Sequence, residues 1–297
     1  MKKQISTIAA FLTIGLIAGC GGGSGSSTPA ASVSVSGAVA DGYLVGATVF
    51  LDKNNNYLLD AGEPSTMTDA NGAYILTVDP ADMGKYPIVA MAIKGQTIDK
   101  DTNLTVSNSY MLSMPATAVS GTVNSNFISP MSTLIREKMA ANPGMTITDA
   151  MTQLRNQMNM PAGMNMMANY MAATQSGTNA TQYQTMHTIA QQMAGLMAGQ
   201  ATLVMNTSGA NQNRYRSMMG TINSNMSAIA ANVINAQGMN STFMADMRDQ
   251  MQSQLGTMPM GAGFSNYSSM FRNMTSHSRF WSPTGTPMTP MGGGMMR

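Results

Sequence analysis

The chain has 297 residues, enough for two domains of average size, yet only 9% of them are charged and the net charge is +2. This balance, with no run of basic residues, argues against a nucleic-acid partner. The single cysteine excludes an intrachain disulfide.

The first twenty residues have the pattern of a secretory signal. Lys2 and Lys3 supply positive charge, and an apolar run follows from Ile5 to Ile17. This run is too short to span ~30 Å of hydrocarbon comfortably, which argues against a plain transmembrane anchor. The sequence Ile17-Ala18-Gly19-Cys20 resembles the lipobox of bacterial lipoproteins. The resemblance implies a signal peptide over residues 1–19 and lipidation of Cys20.

Several acyl chains on one residue anchor a protein firmly to a membrane. The residue after Cys20 is glycine, whereas an aspartate there would resemble the inner-membrane retention signal of enteric bacteria. We therefore expect an outer-membrane protein that faces the periplasm or the cell surface. Residues 20–32 are rich in glycine and serine, so we expect them to form a flexible tether.

The remainder divides by composition into two halves. From Cys20 to Tyr110 there are nine acidic and four basic residues, and from Met111 onward there are four acidic and nine basic. Of the 35 methionines, 31 lie at or after Met111. We predict a two-domain α+β protein, with an N-terminal antiparallel β-sandwich over residues 33–116 and a methionine-rich antiparallel helical bundle over residues 128–256.

Short β-prone runs separated by turn residues predict the strands of the first half. They lie around Val33, Val35 and Val39, and at Ala47–Leu51, Ala73–Val78, Ile88–Ile93, Leu104–Val106 and Tyr110–Met114. Asp99 and Asp101, between two of these runs, are predicted to form a solvated turn.

Apolar residues at spacings of three and four predict the helices of the second half. We expect helices at Met131–Ala141, from a Thr148 cap to about Met158, at Met164–Thr174, at Asn179–Met205, from Tyr215 to Val233, and from Met244 to Leu255. Residues 257–297 are rich in methionine, glycine and proline, and are predicted to be a disordered tail.

The strongest chemical motif is the stretch from Asp52 to Glu63. It has oxygen-bearing side chains at positions 1, 3, 5, 9 and 12, a spacing that wraps calcium in an EF-hand loop. The expected ligands are the side chains of Asp52, Asn54, Asn56, Asp60 and Glu63 and the carbonyl oxygen of Leu58. We expect Ca²⁺ as the cofactor, and an Asn/Asp-rich turn without an ion is the alternative.

Position 6 of this stretch departs from the usual pattern, because it holds Tyr57 where a calcium loop has glycine. A bulky residue there strains the backbone if the same turn is formed. The flanks are predicted strands, so the expected role of an ion is to rigidify a β-connection.

Residues around this loop resemble a known family of β-domains. Ser36-Gly37-Ala38-Val39-Ala40-Asp41-Gly42-Tyr43-Leu44-Val45-Gly46-Ala47-Thr48-Val49-Phe50-Leu51-Asp52, and then Asp60–Ser65 and Thr68–Tyr74, look like the opening of prealbumin-like, carboxypeptidase regulatory-like or adhesin B-type modules. The resemblance implies a seven-stranded sandwich used for spacing or binding rather than catalysis. The junction from Ile128 to Leu134 resembles one that recurs in such surface lipoproteins.

Most methionines lie at core positions of the predicted helices, where methionine is a flexible apolar filler. Two clusters depart from this pattern: Met158, Met160, Met164, Met166, Met167 and Met171 near a proline break, and Met288, Met291, Met295 and Met296 in the tail. Thioethers suit Cu(I) or Ag(I), so the less favoured hypothesis is a soft-metal-binding protein with Cu⁺ as cofactor. Against it, His187 and His277 are the only histidines.

No nucleophile motif, phosphate loop or zinc-protease motif occurs in the chain. The expected function is therefore a non-enzymatic, calcium-stabilised binding or scaffold module, anchored to a membrane by lipid. A surface protein or polymer that the sequence does not identify is the expected partner.

Overall fold

The computed structural model describes residues 32–116, 126–175, 177–236 and 241–258. Within these ranges the strands are β1 Val33–Val39, β2 Leu44–Val45, β3 Thr48–Leu51, β4 Ser65–Met67, β5 Ala73–Val78, β6 Ile88–Ala92, β7 Ile98–Asp99, β8 Leu104–Thr105, β9 Tyr110–Met114 and β10 Phe127–Ile128. The lipidation site Cys20, the signal peptide and nearly all of the tether and tail lie outside the described residues, so these predictions stay untested.

The described strands form three small sheets, in the orders β10-β1-β5, β2-β7-β8 and β4-β3-β6-β9. Pairing is antiparallel except between β1 and β10, which run parallel. The antiparallel pairing predicted for the strands of residues 33–116 is confirmed, and β10 lies outside those predicted bounds. Every residue of β6 and β9 is buried, which explains why their residues are apolar on both faces except at Ser113.

The helices follow β10. They are α1 Pro130–Ala141, α2 Ile147–Gln157, α3 Tyr170–Ala173, α4 Ala180–Gly199, α5 Ala201–Val204, α6 Gln212–Ser224, α7 Met226–Ala236 and α8 Ser241–Gly256. None of these described helices is both long enough and apolar enough to cross a membrane. Helix α1 packs against β9 and brings its charged residues under the β3–β4 connection.

Four helix predictions differ from the structure. The helix predicted from Asn179 to Met205 is broken at Gln200, between α4 and α5. Helix α2 is capped by Thr146 rather than Thr148, because the Thr146 hydroxyl and the Asp149 carboxylate form a reciprocal capping box. The helix predicted from Tyr215 to Val233 is interrupted at Asn225, whose side-chain amide donates to the carbonyl of Thr221. The segment predicted as a helix from Met164 is helical only over α3.

A buried network of hydroxyl groups joins β9 to the start of α1. The Ser129 and Ser132 side chains cap each other's backbone N–H groups, and the Ser132 hydroxyl also donates to the carbonyl of Ser113 at 2.7 Å. Thr133 accepts a hydrogen bond from the Ser113 N–H at 2.8 Å. Side chains of the Ile128–Leu134 junction therefore fix the first turn of α1 against the sheet.

The mixed α and β composition predicted from the sequence is confirmed. The division into a separate sandwich and a separate bundle is not confirmed. Buried residues from the strands and from the helices belong to one hydrophobic cluster, which runs from Val35 in β1 to Leu255 in α8. The described residues from Ser32 onward accordingly fall in one compact unit.

Candidate metal centre and its buried supports

The calcium-type loop connects β3 to β4 and begins at Asp52, directly after the last residue of β3. Asp52 is fully buried. Its carboxylate accepts hydrogen bonds from the backbone N–H of Asn56 at 3.0 Å and of Tyr57 at 3.2 Å. These bonds curl the following residues around the carboxylate, and they leave its own oxygens at the centre of the turn.

Tyr57 adopts a left-handed backbone conformation, with a φ of 67°. This is the conformation that glycine normally supplies at position 6 of a calcium loop, so the turn forms despite the side chain. A non-glycine residue in this region costs on the order of 1–2 kcal/mol. Burial of the phenol ring offsets that cost, because Tyr57 is 0% exposed and its ring lies 4.9 Å from that of Tyr215.

Two arginines contact the ring of Tyr57, and two carboxylates balance their charge. The guanidinium of Arg136 lies 4.3 Å from the ring centroid, and that of Arg216 lies 5.5 Å away. Arg136 Nη2 pairs with Asp52 Oδ2 at 3.1 Å. The hydroxyl of Tyr57 donates to Glu137 at 2.8 Å and accepts from Arg216 Nε at 3.2 Å. The loop is thereby joined to α1 and α6 through a network of two cations and two acids.

Burial shifts the titration of these groups. It raises the pKa of the Glu137 carboxyl, while Arg136 and the Tyr57 hydroxyl bond act in the opposite direction. Burial also raises the pKa of Tyr57 well above its ordinary range, so the phenol stays protonated and donates to Glu137.

The backbone of the loop is also attached to the connection between α5 and α6. The carbonyl of Tyr57 accepts from the N–H of Ala210 at 3.0 Å, and the N–H of Leu59 donates to Ser208 at 2.8 Å. Gly209 lies against this contact, where a Cβ would come within 2.0 Å of the Tyr57 carbonyl oxygen. Only glycine therefore permits this approach of the two segments.

The six predicted calcium ligands are brought into one loop, but their present hydrogen bonds are made within the protein. Asp60 Oδ2 accepts from the side-chain amides of Asn54 at 2.8 Å and Asn56 at 2.7 Å. Glu63 accepts from the backbone N–H of Lys53 and of Asp60. Among the described residues, no hydrogen bond is made to the carbonyl oxygen of Leu58.

These donors fit calcium by chemical type, since Ca²⁺ takes carboxylate, amide and carbonyl oxygens in flexible geometry. Binding would require Asn54 and Asn56 to turn their amide oxygens inward, where their nitrogens now contact Asp60. In the part of the chain that the structure describes, no three histidine, cysteine or carboxylate side chains converge on a point that could hold a metal ion. The calcium site stays a prediction that depends on these amide rotations.

The methionines of the first cluster lie in or against the hydrophobic core. Met158, Met164, Met166 and Met167 are at most 1% exposed, and Met160 and Met171 are partly buried against the same cluster. Core packing accounts for these six residues. The soft-metal hypothesis stays a prediction for both clusters, and Met288, Met291, Met295 and Met296 lie outside the described residues.

We expect Met164→Leu and Met166→Leu each to lower the free energy of unfolding by less than about 1.5 kcal/mol, because leucine conserves the volume of the core. Urea unfolding of each variant measures this, with Met67→Leu on an exposed strand as the control. Loss of Ag(I) binding in either core variant, against an unchanged control, would contradict the packing role.

The sequence pointed to Asp99 and Asp101, but it did not identify the buried acid Asp41 near them. Asp41 is 8% exposed and accepts a hydrogen bond from the Tyr110 hydroxyl at 2.8 Å through Oδ2, while its Oδ1 has no partner among the described residues. Burial raises the pKa of Asp41 to about 7, and the charges of Asp99 and Asp101 act in the same direction. Nothing in the pattern Asp41-Gly42 distinguishes this buried acid from an ordinary turn.

Asp99 is the half-buried last residue of β7, whereas Asp101 lies in an exposed turn, as predicted. Its Oδ2 lies 2.7 Å from Nε2 of His187 and accepts from the side-chain amide of Gln191 at 2.8 Å, both on α4. Gly42 makes this packing possible, because a Cβ there would lie 2.5 Å from the Asp101 carboxyl. The turn therefore joins the strands to α4.

The structure shows a mixed α/β chain, and the assignment of the β3–β4 connection as a calcium loop stays a prediction. No family model, curated protein or solved structure matches the chain. The resemblance of residues 35–80 to prealbumin-like modules accordingly stays a prediction.

Proposed function

We propose that this chain is a non-enzymatic lipoprotein, anchored to the outer membrane through Cys20, that serves as a calcium-stabilised binding or scaffold module. The observation that carries the calcium part is the conformation of Tyr57, with a φ of 67° at position 6 of the loop. The Asp52 carboxylate binds the backbone at positions 5 and 6, so the chain is already curled as a calcium loop requires.

The role assigned to calcium is stabilisation, since the loop is fixed on both sides. Arg136 and Glu137 hold it from α1, and the Ala210 N–H holds the Tyr57 carbonyl. An ion bound there would add to this attachment and would not open a pair of helices. With an affinity of ~10⁻⁴ M and ~1 mM calcium outside the cell, it would contribute about 1.4 kcal/mol to folding.

Calorimetric titration of the purified chain with Ca²⁺ tests this proposal. We expect one ion per chain, with binding weakened at least tenfold in Asp60→Asn and Glu63→Gln, because each removes one charged ligand (~10-fold per 1.4 kcal/mol). Asp69→Asn is the matched control, since Asp69 is an exposed carboxylate that holds a turn outside the loop.

Absence of calcium binding at millimolar concentrations would overturn the calcium part. Equal weakening by Asp69→Asn would show that net charge, and not the loop, attracts the ion. A parallel anaerobic titration with Cu(I) measures the alternative metal on the same preparation.

A further inference from the structure

An open groove of about 380 Å³ lies beside the calcium-type loop. Loop residues Lys53 to Asn55 form one side, Lys85 and Tyr86 another, and Arg136 of α1 a third. The charged residues that line it within the described chain are three cations, and no carboxylate lines it. Segments from both halves of the sequence thus build one positively charged surface.

The three cations differ in how much of their charge is already neutralised. Lys53 pairs with Asp82 at 2.7 Å. Arg136 uses Nη2 for Asp52, but its Nη1 is buried without a hydrogen-bond partner among the described residues. Lys85 is exposed, and no acid of the described chain lies within ion-pair distance of it. Lys85 therefore supplies the free positive charge of the groove, since the charges of Lys53 and Arg136 are balanced by Asp82 and Asp52.

The remaining lining suits the body of an anionic ligand. Tyr86 and Pro87 add apolar surface to the lining, and the side-chain NH2 of Asn55, whose oxygen accepts from Arg136, supplies a hydrogen-bond donor. The stretch 117–125, which follows Ala116 at one end of the groove, contains no acidic residue that could neutralise the cations.

We propose that this groove binds an oxyanion, a carboxylate or phosphate group on its ligand, with Lys85 as the main charged contact. Anion binding here rests on the proposed binding function of the chain. It adds to that function a defined surface and a chemical class of ligand. It does not require calcium, because none of the three cations is an expected calcium ligand.

Titration of the ¹⁵N-labelled purified chain with inorganic phosphate and with glucuronate, followed by amide chemical shifts, tests the proposal. We expect saturable shifts at Lys53–Asn55 and Lys85–Tyr86, with weaker binding as ionic strength rises from about 20 to 150 mM. The probe that binds more tightly distinguishes a phosphate group from a sugar carboxylate as the natural anion.

Lys85→Glu is expected to weaken binding at least tenfold. Lys94→Glu is the matched control, since Lys94 is also exposed, carries the same charge and lies outside the groove. Equal loss in both variants, or no saturation at tens of millimolar of either probe, would overturn the proposal. Each titration is made first in the presence of a chelator and then in calcium. Anion binding at the groove can therefore be measured even if the loop binds no calcium.

Discussion

Replacement of Arg136 by methionine is expected to lower the free energy of unfolding by about 3–5 kcal/mol, since it leaves a buried acid without its cation. Asp52 is fully buried and pairs with Arg136 at 3.1 Å, and the guanidinium also covers the ring of Tyr57. Urea unfolding in the presence of a chelator measures the loss without any contribution from metal. Arg248→Met, on the exposed side of α8, should change stability by no more than about 0.5 kcal/mol.

The double variant Asp52→Asn, Arg136→Met separates the ion pair from the packing. Each single change leaves one buried charge unpaired, whereas the double change removes both charges. We therefore expect the double variant to lose less stability than the sum of the two single losses, by more than about 1 kcal/mol. Additive losses would mean that the Asp52–Arg136 contact contributes little and that Arg136 acts through its packing on Tyr57.

Replacement of Asp41 by asparagine is expected to stabilise the protein at alkaline pH and to have little effect at acidic pH. Burial raises the pKa of Asp41 from 3.8 to about 7, so the folded state prefers the neutral carboxyl. The stability that this preference gives is fully present below about pH 4 and is lost as pH rises through 7. Asparagine keeps an acceptor for the Tyr110 hydroxyl and never ionises, so the variant avoids this loss.

The difference between the Asp41 variant and the unchanged protein should therefore grow between pH 4 and pH 7, to a limit on the order of 4 kcal/mol. Urea unfolding at pH 5, 6, 7 and 8 measures this difference directly. Asp246→Asn, an exposed acid on α8, should give a difference that does not vary with pH. A pH-independent difference for Asp41→Asn would show that Asp41 is ionised throughout this range in the folded state.

The parts of the fold that the sequence predicted well are those with a long apolar period. Strands β5 and β9 have the predicted bounds, and α1 differs by one residue at its start. Strands β2, β4, β7 and β10 were missed because two or three residues are too few to show a period. The breaks at Gln200 and Asn225 were missed because the apolar stripe continues across each of them.

The candidate metal centre could likewise be predicted only in part from the sequence. The spacing of the predicted oxygen ligands can be read from the local sequence, and the φ of 67° shows that the turn forms at Tyr57, which the sequence left open. The side chains that hold this loop cannot be predicted from local spacing, because Glu137 and Arg216 contact Tyr57 from 80 and 159 residues away. The same is true of Asp41, whose partner Tyr110 lies 69 residues along the chain. Local patterns contain no information about such partners.

The attachment of the loop to α1 and to the α5–α6 connection also bears on the order of folding. A contact between residues far apart in the sequence closes a long loop. The chain entropy lost in closing it opposes the contact until other contacts have formed. The Asp52 carboxylate holds the backbone of Tyr57 locally, but the contacts of the Tyr57 side chain form only when both helical segments arrive. The β3–β4 connection should therefore be among the last parts of the chain to reach its native conformation, after the strands that flank it have paired.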